Sequence, residues 1–240
     1  MNNQAVKWKI YIVGHKKIHE DLMRGDKRFN NHNYTFLNVG QMEKLENSEK
    51  YNCLNQRELP NYISIGKCWA ESEGIYNIWR SRSYKELRYI GFLHYDIEFR
   101  LTRRFCPWGS TNITQRIEKY ICRREKAHIS FATFNTAVDY AQKIMMDPAR
   151  PNELTGNGIN CYDQIMADYN RYFNTNYTMS DFFAHKHINL CSCFLMDVAT
   201  YDKMMAFFDW LVTSHKLDMY DTAHLNRFQG GMAERYFGVF

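Results

Sequence analysis

The feature that most constrains the fold is an apolar run at positions 89–93, YIGFL, which ends in His94. The run shows no alternation of apolar and polar residues. A strand of this kind is buried on both faces, as in the middle of a parallel sheet that helices cover above and below. Stretches rich in β-branched and aromatic residues at 8–13 and 34–38 are each followed by a glycine within two residues, which is typical of strands. The sequence therefore predicts a central strand and two further strands before it.

Segments with helical periodicity separate these strands. Between Ile65 and Arg80 apolar residues recur every three or four positions, which is typical of an amphipathic helix. Further helices are predicted at 135–146, 158–173 and 200–216, and further strands at 128–134 and 187–196. This alternation indicates an α/β fold with a mostly parallel sheet flanked by helices.

Composition limits the class of protein. A chain of 240 residues with 45% hydrophobic content can bury a full core. We expect one domain that spans residues 1–240. The apolar C-terminal stretch predicts either a domain of a longer protein or a terminus tucked into the core. The net charge of +5 favours an anionic ligand but is too small to predict a nucleic-acid partner.

Cysteine usage and hydropathy bear on location. The seven cysteines are odd in number and too sparse for a disulfide scaffold, which indicates reduced thiols and a cytoplasmic compartment. No segment approaches 18 consecutive apolar residues, so no transmembrane segment is predicted. The first 14 residues contain only a short apolar run, which we interpret as a first strand and not as a signal peptide.

Three loops follow the predicted strands at their carboxyl ends, where open α/β sheets bind their ligands. They are GHKK at 14–17, VGQ at 39–41 and HYDIEF at 94–99. If the first and third of these strands are neighbours, their loops share one crevice. In GHKK, backbone N–H groups and the cationic side chains would receive a nucleotide base or phosphates. The alternative is an ordinary exposed turn.

An acid pair, Asp96 and Glu98, follows the apolar strand directly. Two carboxylates one residue apart at a strand end suit Mg²⁺ or Mn²⁺, which take one or two carboxylates together with substrate phosphates. In nucleotide-sugar transferases a metal held in this way neutralises the departing diphosphate. The alternative is a solvated strand end.

Six motifs in order resemble the capsular-polysaccharide-synthesis family, a group of glycosyltransferase-like proteins. They cover roughly 8–99 and 187–240. The motifs are IYIVGHKK, LNVG, the helix residues Glu71, Tyr76, Trp79 and Arg80, the strand residues Gly91, His94 and Tyr95, the strand NLCSCFLM, and the C-terminal GGMAERYFGV. In that family basic residues commonly follow the His-Tyr pair. Here Asp96 and Glu98 follow it, which sharpens the metal interpretation for this chain.

The resemblance implies a GT-A-like (Rossmann-like) fold and a nucleotide-sugar donor, with a nucleotide-sugar half at about 1–100 and an acceptor half at about 101–240. The residues expected to hold the donor are Gly14, His15, Lys16, Val39, Gly40, Glu71, His94 and Tyr95. Glu71 would hydrogen-bond a sugar hydroxyl or position a loop, and the alternative is a surface glutamate favoured near the start of a helix.

Candidates for the catalytic base are carboxylates, because an inverting transferase needs a group that takes the proton of the acceptor hydroxyl. Glu234 after the Gly-Gly pair is the first, with an ion pair to Arg235 or Arg227 as the alternative. Asp181 and Asp197 are held in reserve.

The stretch HKHINLCSC also carries zinc-type ligands. They are His185, His187, Cys191 and Cys193. Structural zinc sites usually use wider cysteine spacings, so a buried strand with two small cysteines is favoured. His187 would instead complete the shell of the catalytic metal.

Together these features predict a metal-dependent glycosyltransferase. It would use Mn²⁺ or Mg²⁺ and a UDP-sugar, with galactose as a candidate sugar, and a glycan acceptor in surface polysaccharide or glycoprotein glycan synthesis. One alternative is a metal-dependent nucleotidyl or phosphoryl transferase that uses the same acids. The other is a glycan-binding module without catalytic activity.

Overall fold

The structure is a computed structural model that describes most of the N-terminal part of the chain and seven stretches of the remainder. The described residues are 7–23, 25–66, 69, 71–95, 113–123, 129–130, 133–135, 161–184, 187–189, 192–216 and 228–240. Their strands are β1 Trp8–Gly14, β2 Tyr34–Asn38, β3 Cys53–Asn55, β4 Tyr89–His94, β5 Ile129–Ser130, β6 Thr133–Asn135, β7 His187–Asn189 and β8 Phe194–Asp197. Their helices are α1 Glu71–Ser81, α2 Ile113–Arg123, α3 Cys161–Phe173, α4 Met179–Ala184, α5 Val198–Thr213 and α6 Phe228–Gly238. Short 3₁₀ turns lie at Lys27–Asn30 and Gln56–Glu58.

The main sheet has six strands in the order β3-β2-β1-β4-β8-β5. The first four are parallel to one another, and β8 runs antiparallel to both β4 and β5. A separate antiparallel pair joins β6 and β7. The expectation of a mostly parallel sheet flanked by helices is confirmed.

The order of the strands creates a switch point between β1 and β4. From β1 the chain moves outward to β2 and β3, and α1 then returns it to β4 on the other side of β1. The first and third apolar strands are therefore neighbours, with Val13 opposite His94, and this meets the condition under which their loops share one crevice. In folds of this kind ligands bind outside the carboxyl ends of the strands where the order reverses.

Both faces of the central strands are buried, which explains their lack of polar alternation. In β1, Tyr11 points into one core cluster, and Ile10 on the opposite face points into the other. Phe92 and Leu93 divide in the same way in β4. Residues of α1, α5 and α6 complete the first cluster, and the isoleucines of α2 complete the second. Burying apolar side chains on both faces is the main contribution to the stability of such a sheet.

The first predicted helix begins six residues later than its periodicity indicates. The buried carboxylate of Glu73 accepts hydrogen bonds from the backbone N–H groups of Ile65 (3.0 Å) and Gly66 (3.1 Å). Gly66 has φ +106°, in the left-handed region that favours glycine. The segment before α1 is therefore a loop that the helix itself holds.

Other elements differ from their sequence patterns. The strands expected at 128–134 and 187–196 are each divided between the two sheets, as β5 and β6 and as β7 and β8. At the second division Ser192 has φ 49°. The Gly-Gly pair that precedes Glu234, Gly230 and Gly231, lies inside α6. The helix α2 was not predicted from the sequence. The helix predicted at 135–146 lies outside the described residues, apart from Asn135. Within the described part of the chain, no helix is both long and apolar enough to cross a bilayer.

Candidate functional site at the switch between β1 and β4

Three residues from three separate elements meet at the switch point. His15 follows β1, Glu71 begins α1, and His94 ends β4. The Oε1 atom of Glu71 lies 2.7 Å from Nε2 of His15 and 3.0 Å from Nε2 of His94. The Glu71 side chain is only 13% exposed, so this bridge is largely shielded from water. We call these three residues the bridge cluster.

The protonation of the bridge cluster follows from its hydrogen bonds. Burial alone would raise the pKa of the Glu71 carboxyl. Hydrogen bonds from His15, His94 and the backbone N–H of Glu71 outweigh burial and hold that pKa well below its ordinary value. An ionised carboxylate can only accept, so each imidazole donates through a hydrogen on Nε2. The cluster thus fixes one ring nitrogen of each histidine.

The N-terminal end of α1 carries the carboxylate of Glu71. Helix N-termini attract phosphates because their backbone N–H groups point outward and the helix dipole is positive there. Here Glu71 stands in the first turn and is ionised. A phosphate bound in this crevice would therefore need donors other than the end of α1, and the exposed Lys16 and Lys17 lie in the adjoining loop.

Tyr95 extends the cluster beyond β4. Its ring centroid lies 4.5 Å from that of His94, 5.4 Å from that of His15 and 5.6 Å from that of His19. Three imidazoles thus surround one phenol ring at the mouth of the crevice. His19 was not predicted, because its contact with Tyr95 depends on the fold and not on a pattern in the sequence.

The loops after β1 and β2 are locked together. The backbone N–H of Val39 donates to the carbonyl of Gly14 at 2.9 Å. A Cβ at Gly40 would lie only 1.9 Å from the carbonyl oxygen of His15, so this position requires glycine. Asn38 shapes the same loop, since its side chain accepts from the N–H of Gly40 at 2.9 Å and donates to the carbonyl of Met42 at 2.8 Å.

Gly14 is less restricted than Gly40. A Cβ added there would make ordinary contacts, 3.6 Å from Cβ of Tyr95 and 3.8 Å from a methyl of Leu45. Of the two glycines that the sequence assigns to the donor loops, Gly40 is therefore the one whose missing side chain permits the close approach.

The backbone of His94 is held by a second contact. Its N–H donates to the buried thiol sulfur of Cys193 at 3.1 Å. Cys193 stands just before β8, which pairs with β4. This cysteine, a zinc candidate by sequence, thus supports the end of β4.

No set of three or more His, Cys, Asp or Glu side chains in the described part of the chain is arranged to hold a metal ion. The predicted metal ligands Asp96 and Glu98 lie outside the described residues. For His187 the structure describes the backbone in β7 but not the side chain. The metal site therefore stays a prediction.

Two of the three candidate bases act as helix caps. The carboxylate of Asp197 accepts from the N–H and hydroxyl of Thr200 at the start of α5. Asp197 lies opposite Tyr89 at the start of β4. Tyr89 is five residues before His94, so Asp197 lies about 16 Å from the bridge cluster, at the opposite end of the strands. Asp181 is exposed and exchanges hydrogen bonds with Thr178 at the start of α4.

The remaining candidate, Glu234, lies in α6. Its side chain is half-buried, and the neighbouring Arg235 is buried and donates to the carbonyl of Gly231 at 2.8 Å. The helix packs against α1, whose first residue is Glu71. The structure therefore brings the donor candidates His15, Glu71 and His94 together, and it places Asp181 and Asp197 in helix caps.

Comparison with solved structures gives one informative match. The apo structure of the bifunctional glycosyltransferase WbbM superimposes with a TM-score of 0.61 over 97% of this chain, at 17% sequence identity. The chain has a GT-A-like fold. It spans 42% of the WbbM chain.

A second match is too weak to carry an argument. The mannosyltransferase Ktr4p from S. cerevisiae, solved in complex with GDP, gives a TM-score of 0.32 at 14% identity, over 99% of this chain and 71% of its own. No protein-family model and no curated protein sequence matches the chain. The narrower resemblance to the capsular-polysaccharide-synthesis family therefore rests on the sequence motifs.

Proposed function

We propose that this protein is a glycosyltransferase that takes a sugar from a nucleotide-sugar donor and passes it to a glycan acceptor. The observation that carries the proposal is the bridge cluster, which lies at the strand-order switch of a GT-A-like sheet. Buried, charge-stabilised polar groups are not needed to stabilise a strand end. Their concentration at the position where such sheets bind ligands favours a binding site.

The donor would be a UDP-sugar, with galactose as the candidate sugar. Its diphosphate would lie over the loop that begins at His15, where Lys16 and Lys17 are exposed. Positive groups aimed at the leaving diphosphate stabilise the charge that develops as the sugar departs. The loop at Val39 and Gly40 would form the adjoining wall, since it contacts the backbone of Gly14 and His15.

A divalent metal fits this scheme through residues that follow Tyr95 in the sequence. Asp96, with Glu98 and His187 as further ligands, would hold Mn²⁺ or Mg²⁺ at the same end of β4. The ion would supply Lewis-acid stabilisation of the diphosphate. The bridge cluster would not be a ligand set, because its carboxylate already accepts from both imidazoles.

Glu234 remains the first candidate for the base. Asp181 and Asp197 are each engaged in capping a helix, and they stay in reserve. The acceptor would then approach over the C-terminal half, as a growing glycan of surface polysaccharide or glycoprotein synthesis.

A melting-temperature panel tests the donor class. UDP, UDP-galactose, GDP-mannose, ATP and a plain oligosaccharide would each be added with and without Mn²⁺. A ligand at 100 times its Kd stabilises by about 2.7 kcal/mol, which for a chain of this size raises the melting temperature by about 5–10 °C. We expect that shift for a nucleotide sugar and its nucleoside diphosphate. A shift with ATP alone would favour a nucleotidyl transferase, and one with the oligosaccharide alone would favour a glycan-binding module.

Turnover must accompany binding for the proposal to stand. Incubation of UDP-galactose with Mn²⁺ and a panel of oligosaccharide acceptors should release UDP in step with a longer glycan product. Binding without any release of UDP across donors and acceptors would count against catalysis.

A further inference from the structure

The bridge cluster links side chains from three separate elements. The ring of His15 stands on a loop, Glu71 on the first turn of a helix and His94 at a strand end. His15 and Glu71 are separated by 56 residues in sequence. A single oxygen atom joins them, since Oε1 of Glu71 accepts from both rings.

The carboxylate is not exposed to a ligand in the way that a contact residue would be. It is 13% exposed, whereas the His15 and His94 side chains are 28% and 17% exposed. Both imidazole hydrogens and its own backbone N–H already point to it. A sugar or ribose hydroxyl that approached Oε1 would have to compete with the two imidazole hydrogens already directed at that atom.

We infer that Glu71 is a positioning residue that fixes the imidazole rings of His15 and His94 across the switch point. It acts through those rings and does not contact the donor itself. The effect of Glu71 on donor affinity rests on the proposed function. Its effect on the orientation of the His15 and His94 rings is independent of that function.

The helix that carries Glu71 is itself immobilised. Hydrogen bonds to Glu73 hold the loop that precedes α1. One carboxylate oxygen of Glu73 accepts from the hydroxyl of Ser64 and from the backbone N–H groups of Ile65 and Gly66. The other oxygen accepts from Gln56 at 2.8 Å. The carboxylate of Glu71 therefore projects from a fixed point, which is what a residue that orients other groups requires.

The first test measures the rings directly. In protein labelled with ¹⁵N-histidine, an imidazole N–H proton that exchanges slowly enough to be observed by NMR reports a shielded hydrogen bond. We expect two such resonances from the bridge cluster, one lost in His15→Gln and the other in His94→Gln. Both should disappear in Glu71→Ala and persist, weakened, in Glu71→Gln, because the amide oxygen still accepts.

The second test measures UDP affinity by calorimetry in the same variants. Loss of an orienting partner behind a binding group typically costs about 10–100-fold. We expect a loss of that size in Glu71→Ala and a smaller one in Glu71→Gln. Glu86→Gln is the matched control, since that exposed glutamate pairs with Lys7 at the opposite end of β4 and should change neither readout.

The outcomes separate the two claims. Unchanged imidazole resonances in a folded Glu71→Ala protein would overturn the inference. Lost resonances with unchanged UDP affinity would overturn the dependence of donor binding on Glu71. A wild-type protein that shows both resonances but binds no nucleotide would support the positioning of the rings and refute the proposed function. If Glu71→Ala does not fold, Glu71→Gln supplies both measurements, and identical values to wild type would refute the charge-assisted bridge.

Discussion

Replacement of Gly40 by alanine is the sharpest test of how the two loops shape the crevice. The new Cβ would stand 1.9 Å from the carbonyl oxygen of His15, whereas real Cβ atoms are essentially never found within 3.0 Å of a neighbour. The obstacle is backbone and not a flexible side-chain tip. The loop at 39–43 and the loop that carries His15 must therefore separate by about 1 Å, which overpacked sites resist.

The expected cost can be estimated from the contacts involved. Inserting a methyl into a tightly packed site costs about 1–3 kcal/mol. The hydrogen bond from Val39 to Gly14 lies between the same loops, and its loss adds about 1 kcal/mol. A total of about 2–4 kcal/mol corresponds to a fall in melting temperature of about 4–16 °C in a chain of this size.

Gly14→Ala is the matched control for this substitution. It adds the same methyl in the same crevice, but the nearest atom would be 3.6 Å away. We expect its melting temperature to stay within about 2 °C of the wild type, since the change stays within about 0.5 kcal/mol. Calorimetric scans of both variants, with UDP titrations, are the assay. If the two variants melt together, or if Gly40→Ala keeps full UDP affinity, the proposed coupling of the two loops is refuted.

Three further substitutions test the rest of the site. Asp96→Ala should abolish Mn²⁺-dependent UDP binding with little change in melting temperature, because a strand-end acid contributes little to a core; unchanged affinity for UDP with Mn²⁺ would remove it from the metal site. Glu234→Gln should bind UDP-galactose normally but turn over about 10²–10⁴-fold more slowly if it is the base, whereas normal turnover with a modest loss of melting temperature would indicate an ion pair. Glu73→Ala should destabilise by at least about 3 kcal/mol, because several buried donors lose their acceptor; Glu58→Ala, an exposed neighbour, is the control, and equal unfolding free energies from urea titration would contradict the role of Glu73 in holding the loop.

The sequence predicted the centre of the sheet well because burial on both faces leaves a local signature. Five consecutive buried positions in β4 needed no partner to be interpreted as a central strand. The strand β1 followed from its β-branched and aromatic residues. The shared crevice depended on the adjacency of the two strands, which the sequence left as a condition. His15, Lys16, His94 and Tyr95 lie in or beside the loops just after these strands, and the family resemblance assigned them to the donor.

The bridge itself could not be predicted, because it depends on distance in space and not along the chain. Glu71 was a plausible ligand residue, but nothing local says that two rings from distant segments donate to one oxygen. The helix α6 was not predicted for a different reason, since it contains a Gly-Gly pair. Glycine has a poor helix propensity, but Met232, Ala233, Tyr236 and Phe237 are all buried, and this packing outweighs that propensity.

The sharing of one core cluster by both ends of the chain has a consequence for the order in which the protein folds. Phe92 of β4 packs against Phe194 of β8 and Tyr201 of α5, at ring-centroid distances of 5.4 and 5.6 Å. On the ribosome, the first four strands emerge about a hundred residues before those partners, at about 5–20 residues per second. For those seconds one apolar face and the edge of β4 stay uncovered, a state that is prone to aggregation. We therefore expect that a fragment of about residues 1–100 cannot be produced alone in soluble form. We also expect the nascent chain to depend on chaperones until α5 is made.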